Sequence, residues 1–231
     1  MRTLLRTFFR LLYHPFAFTY DLVSWIVSFG RWKDWIQEVV PFMEGSRILE
    51  LGHGPGHLQR ILLSRGLIAV GVDESPQMGH LAKRRIQEYY RSETDLSDPS
   101  NVSTHQRAYA QNDITRGLAQ YLPFSAGTFN TVVATFPADY IFDPATLTEA
   151  HRVLSETGRF VILPGAVITG RGIWDRFMAW VFRFTRQTPP DLSEILHERS
   201  KEPFAQAGFH LEVYERNVKS SIVFIMVATK S

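Results

Sequence analysis

Three glycines at alternate positions, Gly52, Gly54 and Gly56, stand between an apolar run, Arg47-Ile-Leu-Glu-Leu51, and a segment, His57 to Ser64, whose Leu58, Ile61 and Leu62 share a helical face. That order reads as strand, tight turn, helix. Glycine lets the chain turn sharply and lets a ligand approach the backbone closely. The free N–H groups that open a helix suit an anion or a carboxylate. The spacing is G-x-G-x-G. The nicotinamide fingerprint, G-x-G-x-x-G, would need glycine at His57, and no G-K-[ST] follows to make a nucleotide-triphosphate loop. A second apolar run, Leu67-Ile-Ala-Val-Gly-Val72, ends in Asp73. This acid lies about 20 residues past the turn, where a carboxylate can accept bonds from both hydroxyls of a ribose.

The alternation continues along the chain. Gln77 to Arg91 is a long helical stretch, Ser92 to Ser103 a polar surface loop, and Thr104 to Ala108 a weak third strand. Phe129 to Thr135 is a strand rich in β-branched residues, followed by a helix over Ala145 to Leu154 and a fifth strand over Gly158 to Leu163. His210 to Glu215 and Ser220 to Thr229 form two closing strands with a turn near Asn217. This pattern predicts an α/β, Rossmann-like fold: a mostly parallel seven-stranded sheet with one antiparallel strand and helices on both faces. Residues 1–44 read as a helical, aromatic-rich N-terminal extension or lid, and residues 45–231 as the main domain, with an aromatic and basic insertion at 166–190 after the fifth strand.

Composition narrows the function. With 231 residues the chain has room for one sizeable domain and appended elements. The net charge of +2 gives no reason to expect nucleic acid as a partner. Cysteine is absent, which removes disulfides, thiolate nucleophiles and cysteine-ligated zinc and fits a reducing cytoplasm. The histidines show no paired ligand spacing, and His53 and His57 straddle the turn, so no metal is expected. Arg6 and Arg10 interrupt the apolar N-terminus, no small-residue cleavage site follows, and no stretch reaches the roughly 18 apolar residues of a spanning helix. Neither an export signal nor a transmembrane helix is therefore expected.

Taken together, Ile48-Leu-Glu-Leu-Gly-His-Gly-Pro-Gly56, Val70-Gly-Val-Asp-Glu-Ser-Pro-Gln-Met78, Asn112-Asp113 ahead of Leu122-Pro-Phe124, Phe129-Asn-Thr-Val-Val133 and Glu149-Ala-His-Arg-Val-Leu-Ser-Glu-Thr-Gly-Arg159 carry a resemblance. The chain resembles the class I S-adenosylmethionine-dependent methyltransferases, and among them the ubiquinone/menaquinone-biosynthesis type. The resemblance implies S-adenosylmethionine as cofactor and S-adenosylhomocysteine as product. It implies that Glu50 and the turn Gly52, His53, Gly54 and Gly56 face the methionine moiety. Asp73 would bind the ribose hydroxyls with Glu74 and Ser75 beside it, and Met78 would pack near the adenine. Asp113, after Asn112, would accept from the adenine amino group with Ile114 covering the ring. Thr135 and Phe136 would line the methyl-donor site, and the Tyr20-Asp21 pair would lie over the cofactor.

A methyl on a sulfonium is already activated, so the protein supplies position and desolvation, and a base only where the acceptor must lose a proton. Candidates for that base are His53, Asp139 and Tyr140, each with a plainer reading: a bond to the turn backbone, a helix cap, a packing residue. Arg2, Arg6 and Arg10 share a helix face within residues 1–13, and residues 171–186 interleave Trp174, Phe177, Trp180 and Phe184 with Arg176 and Arg183. Such segments suit a membrane interface, an apolar substrate, or simple packing on the domain, the last being the reading for residues 15–44. The expected partner is a lipophilic small molecule, a quinone precursor or a lipid head group. The expected location is cytoplasmic, peripheral on the inner membrane face. A non-catalytic cofactor-binding module and a methyltransferase acting on protein or RNA are the alternatives.

Overall fold

The computed structural model describes residues 30–93, 113–169 and 200–231. A short helix, α1 (Trp32–Gln37), and a 3-10 turn, Val40–Phe42, lead into strand β1 (Arg47–Leu51). There follow α2 (His57–Ser64), β2 (Ile68–Asp73), α3 (Pro76–Glu93), β3 (Asp113–Arg116) and β4 (Phe129–Thr135). A 3-10 turn, Asp139–Phe142, precedes α4 (Pro144–Val153), and the chain continues through β5 (Leu154–Ile168), a helix covering residues 200–206, β6 (Phe209–Val218) and β7 (Ser221–Lys230).

The seven strands form one sheet in the order β3-β2-β1-β4-β5-β7-β6. β1 is parallel to both β2 and β4, and β7 runs antiparallel to both β5 and β6. The expected sheet, with a single antiparallel strand, is the one observed. Its central strands are buried on both faces, so consecutive residues feed different cores. Leu49, Val132, Ala134, Phe160 and Ile162 pack with Leu147 and Ala150 of α4 and with Phe204. Ile48, Val133, Val161 and Leu163 pack with Trp35 and Ile36 of α1 and Leu58 and Leu62 of α2. A smaller cluster joins Leu63 of α2 to Ala82 and Ile86 of α3 and Ile114 of β3.

The chain crosses from β1 outward through β2 and β3, then returns to lay β4 on the other side of β1. Strand order therefore reverses at β1, and a crevice opens beyond the carboxyl ends of β1 and β4, the usual ligand position in such sheets.

Several elements differ from the sequence expectation. β5 runs on through Pro164, where the register with β7 slips between Ile162 and Gly165. A proline donates no ladder bond, so the bulge absorbs it where the sequence pattern suggested a strand end. The β6–β7 turn falls at Lys219 and Ser220, with Lys219 left-handed at φ 54°, while Asn217 is paired with Ile222. The helix at residues 200–206 carries too short an apolar pattern to be expected, yet Phe204 is fully buried. The strand beside β2 is Asp113–Arg116, and the segment 104–108 lies outside the described residues.

Candidate active site

The glycine turn is built by its neighbours. The N–H of Gly52 donates to Val72 O at 2.7 Å, which ties the end of β1 to the end of β2. Gly52, Gly54 and Gly56 all take positive φ, at 67°, 52° and 82°, a region that a Cβ disfavours. Gly56 lies against α3, where an added Cβ would sit 2.9 Å from the Ala82 methyl. Arg85 of α3 also donates to Pro55 O. Over Gly52 the constraint comes from Tyr140: a Cβ there would be 2.4 Å from its hydroxyl oxygen. The Asp139–Phe142 turn aims that hydroxyl back at β1, where it donates to Leu51 O at 3.3 Å.

Asp73 stands at the end of β2 and joins the turn to the next helix. Its Oδ2 accepts from Gly54 N at 2.9 Å and its Oδ1 from Ser75 N at 2.8 Å. Ser75 in turn accepts from Met78 N through its hydroxyl, capping α3. A carboxylate offers roughly four lone-pair sites, so two remain for hydroxyls arriving from the cavity.

A cavity of about 270 Å³ opens between the turn and the strand ends, near the small end of the roughly 300–1,000 Å³ typical of ligand sites. Gly52, Gly54, Asp73, Glu74 and Ser75 line one side, and Gly117 to Gln120, after β3, line another. Thr135 to Ala138, from the last residue of β4 onward, and Tyr140 complete it. Beyond Gly54 an added Cβ would meet nothing within 4 Å, so the turn is open on that side. The open turn, the free lone pairs of Asp73 and the apolar surface of Val72, Leu118 and Ala119 suit a nucleoside with a charged tail.

Several expected contacts fall elsewhere. Asp113 is an exposed residue at the start of β3, paired with Val70, whereas Asp73 pairs with Arg116 at the far end. In a parallel sheet that puts Asp113 at the end opposite the crevice, so it does not reach an adenine there. Ile114 is in the cluster with Leu63, Ala82 and Ile86, and Met78 is buried; neither lines the cavity. The loop Gly117-Leu118-Ala119-Gln120 lines that side of the cavity instead. The sequence holds one sign of it, the glycine at Gly117 directly after β3, as Gly52 directly follows β1. Asp139 is exposed and outside the lining, and the helix cap in this region is Asp143, whose carboxylate accepts from Ala145 N at 3.0 Å. Tyr20 and Asn112, and the flanks 1–13 and 171–186, lie outside the described residues.

His53 and Glu50 face inward, beneath the turn. His53 is 3% exposed, and its Nδ1 donates to Gly54 O at 2.6 Å. The carbonyl can only accept, so in the neutral ring Nε2 is an acceptor, and it meets no donor among the described residues. Burial pushes the His53 pKa down, against the pull of Asp73. At 3% exposed and absent from the cavity lining, the ring does not face an acceptor in the cavity. Glu50 accepts from Gln59 Nε2 at 2.8 Å, and burial raises its pKa to about 8, with the nearby Asp73 charge adding to the rise. It is protonated at neutral pH. Gly71 makes room for this group, since a Cβ there would come within 2.9 Å of His53 and Ile114 and 3.2 Å of the Gln59 amide. Of the three base candidates, Tyr140 alone lines the cavity. Among the described residues no cluster of histidine and acidic side chains could hold a metal.

Comparison with known proteins places this geometry. The family profile described as a methyltransferase domain matches residues 49–162, from β1 into β5. A ubiquinone/menaquinone biosynthesis C-methyltransferase of Blochmanniella floridana is 25% identical over 197 residues, 82% of this chain and 69% of the relative. A demethylmenaquinone methyltransferase of Symbiobacterium thermophilum is 31% identical over 163 residues, 67% of this chain, which spans only 57% of that relative. In fold, the chain is similar to the geranyl diphosphate C-methyltransferase of Streptomyces coelicolor, solved with Mg2+, geranyl diphosphate and S-adenosyl-L-homocysteine. That likeness has a TM-score of 0.54 at 13% identity and covers 86% of this chain and 78% of that one. The matched segment holds the glycine turn, Asp73 and the strand ends that enclose the cavity, and on that ground the chain carries a class I S-adenosylmethionine-dependent methyltransferase domain, similar to that of the ubiquinone/menaquinone-biosynthesis enzymes.

Proposed function

We propose that this enzyme methylates a lipophilic small molecule, a quinone precursor, and does so at a membrane surface. The observation that carries the acceptor reading is the apolar wall Phe136-Pro137-Ala138 beside Tyr140, next to the glycine turn. The names of the quinone-biosynthesis relatives support it. S-adenosylmethionine supplies the activated methyl group. The residues of the chain hold and orient: Asp73 takes the ribose hydroxyls, the N–H groups of the turn face the carboxylate end, and the 118–120 loop covers the adenine. Tyr140 sits where its hydroxyl would contact a hydroxyl of the acceptor. A quinol ring carries its own activating oxygen, so the site needs desolvation more than a strong base.

The membrane contact rests on the aromatic and basic character of residues 1–13 and 171–186. Among the described residues no helix is long and apolar enough to cross a membrane.

The test is transfer of labelled methyl from S-adenosylmethionine to reduced demethylmenaquinone, with phosphatidylethanolamine vesicles as a second acceptor and mass spectrometry of the products. Methylated quinol is expected. Label in phospholipid alone would move the acceptor to a head group, and label in neither would overturn the acceptor reading. Flotation with anionic vesicles, comparing the full chain with one lacking residues 1–13, tests the membrane contact; equal failure of both to float would remove it.

A further inference from the structure

Phe136 is one of two non-glycine residues with positive φ among those described, at 49°. The other, Lys219, sits in the β6–β7 hairpin turn, where such a backbone is ordinary. Phe136 has no such excuse. It lies at the end of β4 on the cavity wall, and its N–H is fixed to Leu163 O at 2.7 Å. A left-handed backbone is disfavoured about tenfold for a residue with a Cβ, so a neighbour must hold it there. That neighbour is α1. The Trp32 ring stacks on Phe136 with centroids 4.0 Å apart and planes 23° from parallel, and Trp35 stands behind at 6.1 Å.

The helix is itself anchored. Trp35 Nε1 donates to Ser221 Oγ at 2.7 Å in a buried contact, Lys219 pairs with Asp34, and Arg216 pairs with Glu38. The exposed ion pairs add little singly. The buried indole bond and the packing of Trp35 and Ile36, 4% and 2% exposed, make the platform firm.

We infer that Trp32 is a positioning residue for the methyl-donor side of the site: stacked on Phe136, it holds the β4 exit in a strained left-handed bend and so sets the wall Thr135–Ala138 around the cofactor. The inference rests on the methyltransferase reading of the cavity. It adds that a residue in the N-terminal region, remote in sequence and outside the cavity lining, governs cofactor affinity.

Two readouts test it on the full chain: hydrogen exchange at the Phe136 amide, with Val133 in the same strand as control, and calorimetric affinity for S-adenosylhomocysteine. Trp32→Ala should lower Phe136 protection and product affinity each about tenfold while Val133 protection holds. Trp32→Phe, which can still stack, should recover both to within about threefold. In a Phe136→Gly background, where glycine takes the bend without help, Trp32→Ala should have no further effect. Unchanged Phe136 protection, a parallel loss at Val133, or a full Trp32→Ala effect in the Phe136→Gly background would each overturn the inference. If Trp32→Ala does not fold, Phe136→Ala against Phe136→Gly decides: alanine strained at this φ should bind the product about tenfold more weakly than glycine, and equal affinities refute the role of the bend. A wild-type chain that binds no S-adenosylhomocysteine would instead sink the cofactor reading, and the exchange data would still judge the bend.

Discussion

Glu50→Gln isolates the effect of a carboxyl buried beneath the glycine turn. Glu50 is 1% exposed, and burial raises its pKa from 4.5 to about 8, opposed by the Gln59 amide and reinforced by Asp73. The unfolded chain loses this proton near pH 4.5 and the folded chain keeps it to about pH 8. Because the folded-state value is the higher, the unfolded state binds fewer protons across that window, and stability falls as pH rises. Below the unfolded pKa there is no penalty. Above it the penalty grows by about 1.4 kcal/mol per pH unit, reaching about 3 kcal/mol at pH 7 and levelling near 5 kcal/mol above pH 8. Glutamine has the same shape and no proton to lose, and the Gln59 amide can turn to meet either of its polar atoms. The unfolding free energy of the variant minus that of the wild type should therefore climb by about 3 kcal/mol between pH 4.5 and pH 7. Urea unfolding followed by tryptophan fluorescence, at intervals across pH 4.5 to 9 and without cofactor, measures the difference. A difference that stays flat would falsify the reasoning: Glu50 would then ionise in the fold as it does in water.

Asp73→Ala removes the carboxylate that faces the cavity and that tethers Gly54, and should weaken S-adenosylhomocysteine binding about 100-fold, as the loss of two bonds to a charged group implies; unchanged calorimetric affinity would take Asp73 out of the site. Gly52→Ala places a Cβ 2.4 Å from the Tyr140 hydroxyl at a φ of 67°, so thermal melts should show a loss of at least about 1 kcal/mol together with weakened product binding, and retention of both would mean the turn is free to rearrange. Phe204→Ala should cost about 3–5 kcal/mol in denaturant unfolding, because Phe204 is fully buried among Phe142, Phe160 and Phe209; a loss under 1 kcal/mol would show that the short helix at residues 200–206 is not part of the core.

The central strands and the turn between β1 and α2 were legible because their signals are local. An apolar run, three glycines and a leucine stripe lie within 18 residues, Arg47 to Ser64, and the structure keeps α2 and β4 at the bounds the sequence suggests. Asp73 was legible for the same reason, as the acid closing the second apolar run. Asp113 misled because its role depends on register. One strand length separates the mouth of the site from the opposite edge of the sheet, and a sequence pattern fixes where a four-residue strand begins only loosely. Once β3 starts at Asp113, its polar side chain is at the end away from the cavity, and the Gly117–Gln120 loop is at the end that lines it. His53 misled differently. Its neighbours in sequence belong to a ligand turn, but its side chain turns under that turn into a space left by Gly71, which no local pattern reveals.

By itself the sequence determined the alternation of elements, the two-faced burial of the central strands, the antiparallel ending and the glycine turn with its acid, since each depends on residues close together in the chain. Only the tertiary structure decided which side chains share the cavity. It brought Tyr140 over Gly52 across 88 positions of sequence, shut His53 and Glu50 away from solvent, and stacked Trp32 on a left-handed Phe136. Those outcomes follow from register, from the reversal of strand order at β1 and from the docking of α1 on the β6–β7 hairpin. They are long-range packing choices, and the free energy that settles them belongs to the assembled sheet and its helices, not to any single segment.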